Sequence, residues 1–184
     1  ATRGMIFDRY GQPLAVSTPV VSIWANPKQL LASASDLTAL AKSLGMKKSL
    51  LEKKINSKAS KGFMYLKRQL PPAAADKILA LKYKGVYRER DYKRYYPSGE
   101  IAGHLVGFTG LDGTGQEGLE LAFEDHLKSE SGAKQIVKDL YGNTIKELKQ
   151  ISESSPGEDL HLSIDLRMQY SAYKTLKEAV AKAD

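Results

Sequence analysis

Five groups of residues in this chain have types and spacings that could do chemistry. Gly113-x-Gly115-x-x-Gly118 has the spacing of a dinucleotide fingerprint, and Asp139 lies 21 residues beyond Gly118, near where a ribose-binding acid would stand. Glu117, Glu120 and Glu124 sit at the same place, so a pyrophosphate would meet carboxylates rather than bare N–H groups. A tight glycine loop is the better reading. Ser131-x-x-Lys134 has the spacing of an acyl-transfer nucleophile and its lysine. It falls in a Ser/Gly/Glu-rich loop, and neither Ser-x-Asn nor Lys-Thr-Gly occurs in the chain. Lys82 to Tyr96 interleaves tyrosines with lysines and arginines, as a strand that stacks bases and tracks phosphates would. Glu89 and Asp91 interrupt it and favour a charged, Tyr-lined strand. The three glutamates could do acid–base work, but on an open helix face they are expected to pair with Arg3, Arg9 and Arg94. His104, His126 and His161 are too scattered to suggest a metal site. No catalytic, metal or cofactor residue is therefore assigned.

The elements that must position these residues are a mixture of strands and helices. Residues 4–8 and 14–24 read as strands around an Arg9-to-Pro13 turn, with Pro19 marking an edge or bulge. Helices are predicted over 37–44 with Ser35 or Asp36 as cap and Gly45 past the end, over 49–56 from a Ser49-x-x-Glu52 capping box, and from Pro71-Pro72 to about Leu81. Strands are predicted over 63–69 and 85–96. Ser98 caps a helix to Val106, and one helix is expected over 116–128. Ala133–Lys138 and Thr144–Leu148 form a hairpin around Tyr141-Gly142-Asn143. A strand over 160–164 leads to a helix from Asp165 to Ala183 with one apolar face.

Composition narrows the class further. The chain has 184 residues, is 42% hydrophobic and 27% charged, and has no cysteine. Those values belong to a folded chain, and disulfide scaffolds, thiol nucleophiles and Cys-ligated zinc are excluded. No apolar run approaches the ~18 residues that span a bilayer. The charge is uneven: residues 1–92 carry 17 Lys/Arg against 6 Asp/Glu, and residues 93–184 carry 11 against 15. Read from its residues alone, the chain is a non-catalytic α+β module with a basic first half.

Several motifs resemble one family. Arg3-Gly4-x-Ile6-x-Asp8-Arg9-x-Gly11-x-x-Leu14-Ala15 resembles the opening box of class B penicillin-binding proteins. Arg94-Tyr95-Tyr96-Pro97-Ser98-Gly99 with Ala102-x-His104-Leu105-x-Gly107-Phe108 resembles their second box, and Gly115-x-Glu117-Gly118-Leu119-Glu120 their third. Residues 107–120 look like the division-specific, FtsI-type branch. Leu162 to Gln169 resembles the lead into the transpeptidase domain.

The resemblance implies a fragment. The family's membrane helix would precede Arg3, and its penicillin-binding domain and nucleophile would follow the last helix, so Ser131 inherits no role. What it implies here is an elongated periplasmic pedestal without catalytic residues or cofactor. Residues 1–27 and 93–164 would form its anchor, 28–92 an inserted basic head, and 165–184 the helix leading out. Arg3, Asp8, Arg9, Arg94, Glu117 and Glu120 are expected to form a partly buried charge network. Gly4, Gly11, Gly99, Gly107, Gly115 and Gly118 would supply tight backbone, with Pro97 and His104 as further motif residues. The implied partners are the absent transpeptidase domain and divisome membrane proteins, including an FtsW-type lipid II polymerase. β-Lactams and nucleic acid would not bind, and a homodimer through the last helix is left open. The alternatives are a nucleic-acid module using Lys82–Tyr96, a nucleotide site at Gly113–Gly118, and an elongation-type homologue.

Overall fold

The computed structural model describes residues 1–33, 36–130, 132–138, 144–152 and 154–183. It is an α+β chain of seven strands and eight helices among these residues, divided into two compact units. One comprises residues 1–18 with 94–184, the other residues 19–93. Each has its own core.

The second unit begins at Pro19, earlier than the expected boundary at 28, because one long strand carries the chain into it. Strand β1 is Ile6–Phe7 and β2 is Pro13–Ala25. The first half of β2 pairs antiparallel with β1, Ile6 opposite Ala15. Its second half pairs antiparallel with β3 (Met64–Leu70), Trp24 opposite Tyr65. Bulges at Val21/Ile23 and Ile23/Trp24 bend that half. Pro19 lies in the strand where the chain passes between units. Strand β4 (Val86–Tyr95) also pairs with β2 and carries the chain back.

In the second unit, helices α1 (Pro27–Ser33), α2 (Thr38–Leu44), α3 (Lys48–Asn56) and α4 (Pro72–Leu79) supply one side of the core. Leu30, Leu40, Leu51 and Ile55 are fully buried with Ile23 and Ala25. Gly45 ends α2 in the left-handed region, as its place after Leu44 suggests. Two expected caps differ. Ser49 lies inside α3, whose cap position is Lys47, with no side-chain cap bond. Asp36 instead accepts from the Thr38 N–H at 3.0 Å. Ser35 lies outside the described residues. Pro71 and Pro72 stand at the start of α4, where a missing N–H costs nothing.

In the first unit, β1 pairs in parallel with β7 (Leu160–His161). Helix α5 is Gly99–Val106, and Ser98 stands at its cap position without a side-chain cap bond. The single helix expected over 116–128 is two: α6 (Gly118–Ala122) and α7 (Glu124–Leu127), broken at Phe123. Strands β5 (Ala133–Lys138) and β6 (Thr144–Ser152) form the antiparallel hairpin. Residues 131, 139 and 141–143, which carry the Ser131 pattern, the candidate ribose acid and the expected turn, lie outside the described residues. Helix α8 is Leu166–Ala183. The core here is Ile6, Leu14, Ala15, Ala102, Val106 and Leu127.

Candidate functional site

The polar centre of the first unit lies where the N-terminal segment meets α6. Arg3 is 8% exposed and Glu120 fully buried. Arg3 Nε donates to Glu120 Oε2 at 2.7 Å, and its Nη2 donates to the Glu120 carbonyl at 2.8 Å. Arg3 Nη1 lies 2.7 Å from Glu124 Oε2 and donates to the Gly113 carbonyl at 3.1 Å. Arg94, near the end of β4, takes the other oxygen of Glu120, Nε to Oε1 at 2.7 Å. Its Nη1 donates to Ser17 Oγ at 3.0 Å, and that hydroxyl donates to the Arg3 carbonyl at 3.3 Å. Two arginines thus meet two glutamates. Glu120 accepts charged donors on both oxygens, which is what a carboxylate withdrawn from water requires.

The glycine loop serves this centre. A side chain at Gly115 would lie 2.1 Å from the Glu120 carbonyl, so only glycine lets the loop close on α6. The Gly115 N–H then donates to Glu124 Oε2 at 2.8 Å. At Gly118, φ is +59°, and an added Cβ would fall 2.6 Å from the Leu105 carbonyl. Gly107, at φ +74°, meets the Glu117 carbonyl from the other side. The three-glycine spacing therefore builds a backbone-to-backbone contact; the Gly115 N–H meets a carboxylate and the Gly113 N–H the Gly110 carbonyl.

Asp8, Arg9 and Glu117, expected in the same network, take other places. Asp8 is 1% exposed. Its Oδ1 accepts from the N–H groups of Tyr10 and Gln12, both at 2.8 Å, and its Oδ2 from the Leu166 N–H at 3.1 Å. Burial pushes the Asp8 carboxyl up, but the backbone bonds from Gln12, Leu166 and Tyr10 outweigh it and hold it below the usual carboxylate range. Arg9 donates through its guanidinium to the Ser163 carbonyl, and its own N–H to the Ile164 carbonyl at 3.0 Å. Asp8 and Arg9 thereby fasten the start of α8. Asp165 caps the same helix by accepting from the Arg167 N–H at 2.9 Å. Glu117 is exposed and stands outside the network, because its extended backbone at the α6 cap position turns it away from the arginines.

Two of the other motif glycines serve the backbone. Gly4 approaches the Glu158 carbonyl so closely that a Cβ would overlap it. Gly11, at φ +78°, closes the turn in which its N–H donates to the Asp8 carbonyl at 3.1 Å. Gly99 faces open space, and Pro97 and His104 are exposed. Ser17 and the Gly113 carbonyl carry no signal in the sequence. Glu124 stood in the acidic triplet, and its seven-residue spacing from Glu117 is what could have drawn it in. Among the described residues, no three His, Asp or Glu side chains are grouped to hold a metal, and no helix is long and apolar enough to cross a membrane.

Comparison with known proteins gives a consistent result. Residues 1–162 match the penicillin-binding protein dimerisation domain. A probable peptidoglycan D,D-transpeptidase PbpC of Pseudomonas aeruginosa is 41% identical over 98% of this chain and 32% of its own length. The peptidoglycan D,D-transpeptidase FtsI of Escherichia coli is 41% identical over 98% of this chain and 31% of its own length. The chain thus spans about a third of the curated relatives it matches. Among solved structures, a Bifidobacterium adolescentis peptidoglycan synthetase aligns with TM-score 0.61 and 25% identity over 99% of this chain and 38% of its own. A Helicobacter pylori PBP2, solved in complex with MreC, shares the fold with TM-score 0.66 and 20% identity, over 96% of this chain and 37% of its own.

Proposed function

The chain belongs to the penicillin-binding protein dimerisation domain family, and from that premise we propose that it is the non-catalytic pedestal of a septal peptidoglycan D,D-transpeptidase. The parent would cross-link wall peptides by serine acyl transfer in a domain following α8. The pedestal would stand in the periplasm and position that domain, and it would meet division partners such as an FtsW-type polymerase.

The observation that carries this reading is the double fastening of residues 3–9. Arg3 ties the N-terminal segment to α6 through Glu120, and Asp8 and Arg9 tie it to the start of α8. A body that transmits position from one end of its chain to an exit helix needs such joints to be stiff. Buried charge pairs are stiff because any displacement leaves a charge uncompensated. The FtsI-like glycine and glutamate pattern of 107–120, which forms the α6 side of that joint, supports the septal branch.

The test is a chimera in which this chain replaces the matching third of Escherichia coli FtsI, expressed in cells depleted of their own FtsI. Restored septation is expected. Filamentation, with the chimera present at normal levels and still labelled by a β-lactam, would reject the septal assignment.

A further inference from the structure

Helix α3 and the turns after it concentrate positive charge that the fold does not use. Residues 42–61 hold seven lysines against one acid, Glu52. Leu51 and Ile55 fix which side of α3 is buried. At 3.6 residues per turn, Lys48 and Glu52 fall on one flank of that buried stripe, and Lys47, Lys53 and Lys54 fall on the other flank and the outer face. The first flank is balanced: Lys48 Nζ lies 2.7 Å from Asp36 Oδ1 and 3.9 Å from Glu52 Oε1. The second has no acid. Lys47 and Lys53 are exposed and Lys54 is half-buried, and none of the three makes an ion pair among the described residues. The winding continues past α3: the Lys58 N–H donates to the Ile55 carbonyl at 3.0 Å and the Lys61 N–H to the Lys58 carbonyl at 2.9 Å. Those turns bring two more exposed lysines to the same end of the helix. We propose that this lysine row is the docking surface for an extended acidic segment of a partner protein.

Stability does not explain the row. Lys53 and Lys54 suit the negative end of the α3 dipole, but Lys47 stands at the positive end. It occupies the cap position, where a side-chain acceptor is favoured, and makes no side-chain cap bond. Lys54 and Lys58, four positions apart, add repulsion between like charges. An anion laid along the row relieves both costs. Its chemistry follows from what the row has and lacks. Ammonium groups on flexible stems are point charges without the fork that grips a single phosphate or carboxylate, so they read spaced charge. From Lys54 through Lys58 to Lys61 a lysine recurs about once per turn, ~5 Å apart. An extended peptide sets alternate side chains ~7 Å apart on one side, within reach of those stems. A nucleic acid is poorly served, since no aromatic residue lies between Lys42 and Lys61 to stack a base. A bilayer is poorly served too. The apolar face it would take, Leu51 and Ile55, is already in the core, and Leu50 is the one large apolar side chain exposed over 47–61. The inference rests on the reading of the chain as a partner-binding module, and not on the septal branch.

The probe is a fluorescein-labelled peptide of alternating glutamate and serine, read by anisotropy against the full chain. Its controls are the same peptide with glutamine for glutamate, a labelled oligothymidylate, and phosphatidylglycerol vesicles read by co-sedimentation. The acidic peptide is expected to bind saturably, more tightly than any control, and its affinity should fall as salt rises from about 0.05 to about 0.5 M. Lys47→Gln, Lys53→Gln and Lys54→Gln together should weaken it about tenfold. Lys28→Gln, Lys77→Gln and Lys84→Gln together remove the same charge from other parts of that unit and should leave affinity within about twofold. Both variants should keep the parent's circular dichroism spectrum. Equal loss from the two triple variants, equal binding of the glutamine peptide, tighter binding of the oligothymidylate or the vesicles, or no binding of the acidic peptide overturns the proposal. The assay uses the chain alone, so such a failure is separable from failure of the septation chimera.

Discussion

Glu120 has no water to turn to, and each of its oxygens is held by a different arginine. Removing one partner of such a group costs on the order of 3–5 kcal/mol, since the survivors stay buried and unbalanced. Arg94→Ala and Glu120→Ala are each expected to lower the melting temperature by roughly 10 °C, read by calorimetry. Glu117→Ala, on an exposed side chain, should stay within about 0.5 kcal/mol of the parent; an equal loss there would place the joint elsewhere. Asp8 is a different device, an acceptor for backbone donors. Its folded pKa lies below the ordinary carboxylate value. Its stabilisation is therefore fully present above about pH 4 and is lost as pH falls through the lowered folded value. Between pH 5 and 2 the melting temperature should fall more steeply for the parent than for Asp8→Asn, and parallel curves would contradict the assignment.

Elements meet here with almost no space between backbones. The α5 end and the α6 start touch through Gly107 and Gly118, and the loop closes on α6 through Gly115. Gly107→Ala faces two penalties, a left-handed backbone worth about 1–3 kcal/mol and a collision with the Glu117 carbonyl. Gly113 shares the positive φ, at +77°, but faces open space. Gly113→Ala is expected to cost the backbone penalty alone, so urea titration should find it clearly the milder substitution. Equal losses would mean that the collision is relieved by a small backbone shift. The same crowding explains why one expected helix became two. The 3.6-residue pattern over 116–128 is present, but packing of α6 and α7 against the first unit's core bends the chain at Phe123. A periodic pattern cannot display that bend.

At the scale of the molecule, two cores lie in one chain, and the chain passes between them along β2 and β4. Leu51 is fully buried in the second core. Leu51→Ala should cost about 2–5 kcal/mol and should act where that core is. Hydrogen exchange followed by mass spectrometry is expected to show protection lost within 19–93 and largely retained by β1, α5 and α6. Uniform loss across both units would show that they unfold as one body.

Much of this was legible in the residues. The β-branched and aromatic content of 14–24, the tyrosines of 85–96, the prolines at 71 and 72, and Gly45 after Leu44 each express a local preference of backbone or side chain, and each marks the element it names. The charge contrast between the halves follows from composition, and the boxed Arg, Gly and Glu motifs carry the family. Partner choice is another matter. Arg3 stands 117 residues from Glu120, and no local signal distinguishes Glu120 from Glu117 three positions before it. Only folding decides which carboxylate loses its water, and that loss makes Glu120 the centre and leaves Glu117 at the surface. Asp8 and Arg9 were visible as polar residues beside a turn, but their role in fastening α8 arises from a parallel strand pairing more than 150 residues apart. Local propensity acts over a few residues; burial and hydrogen-bond satisfaction act across the whole chain.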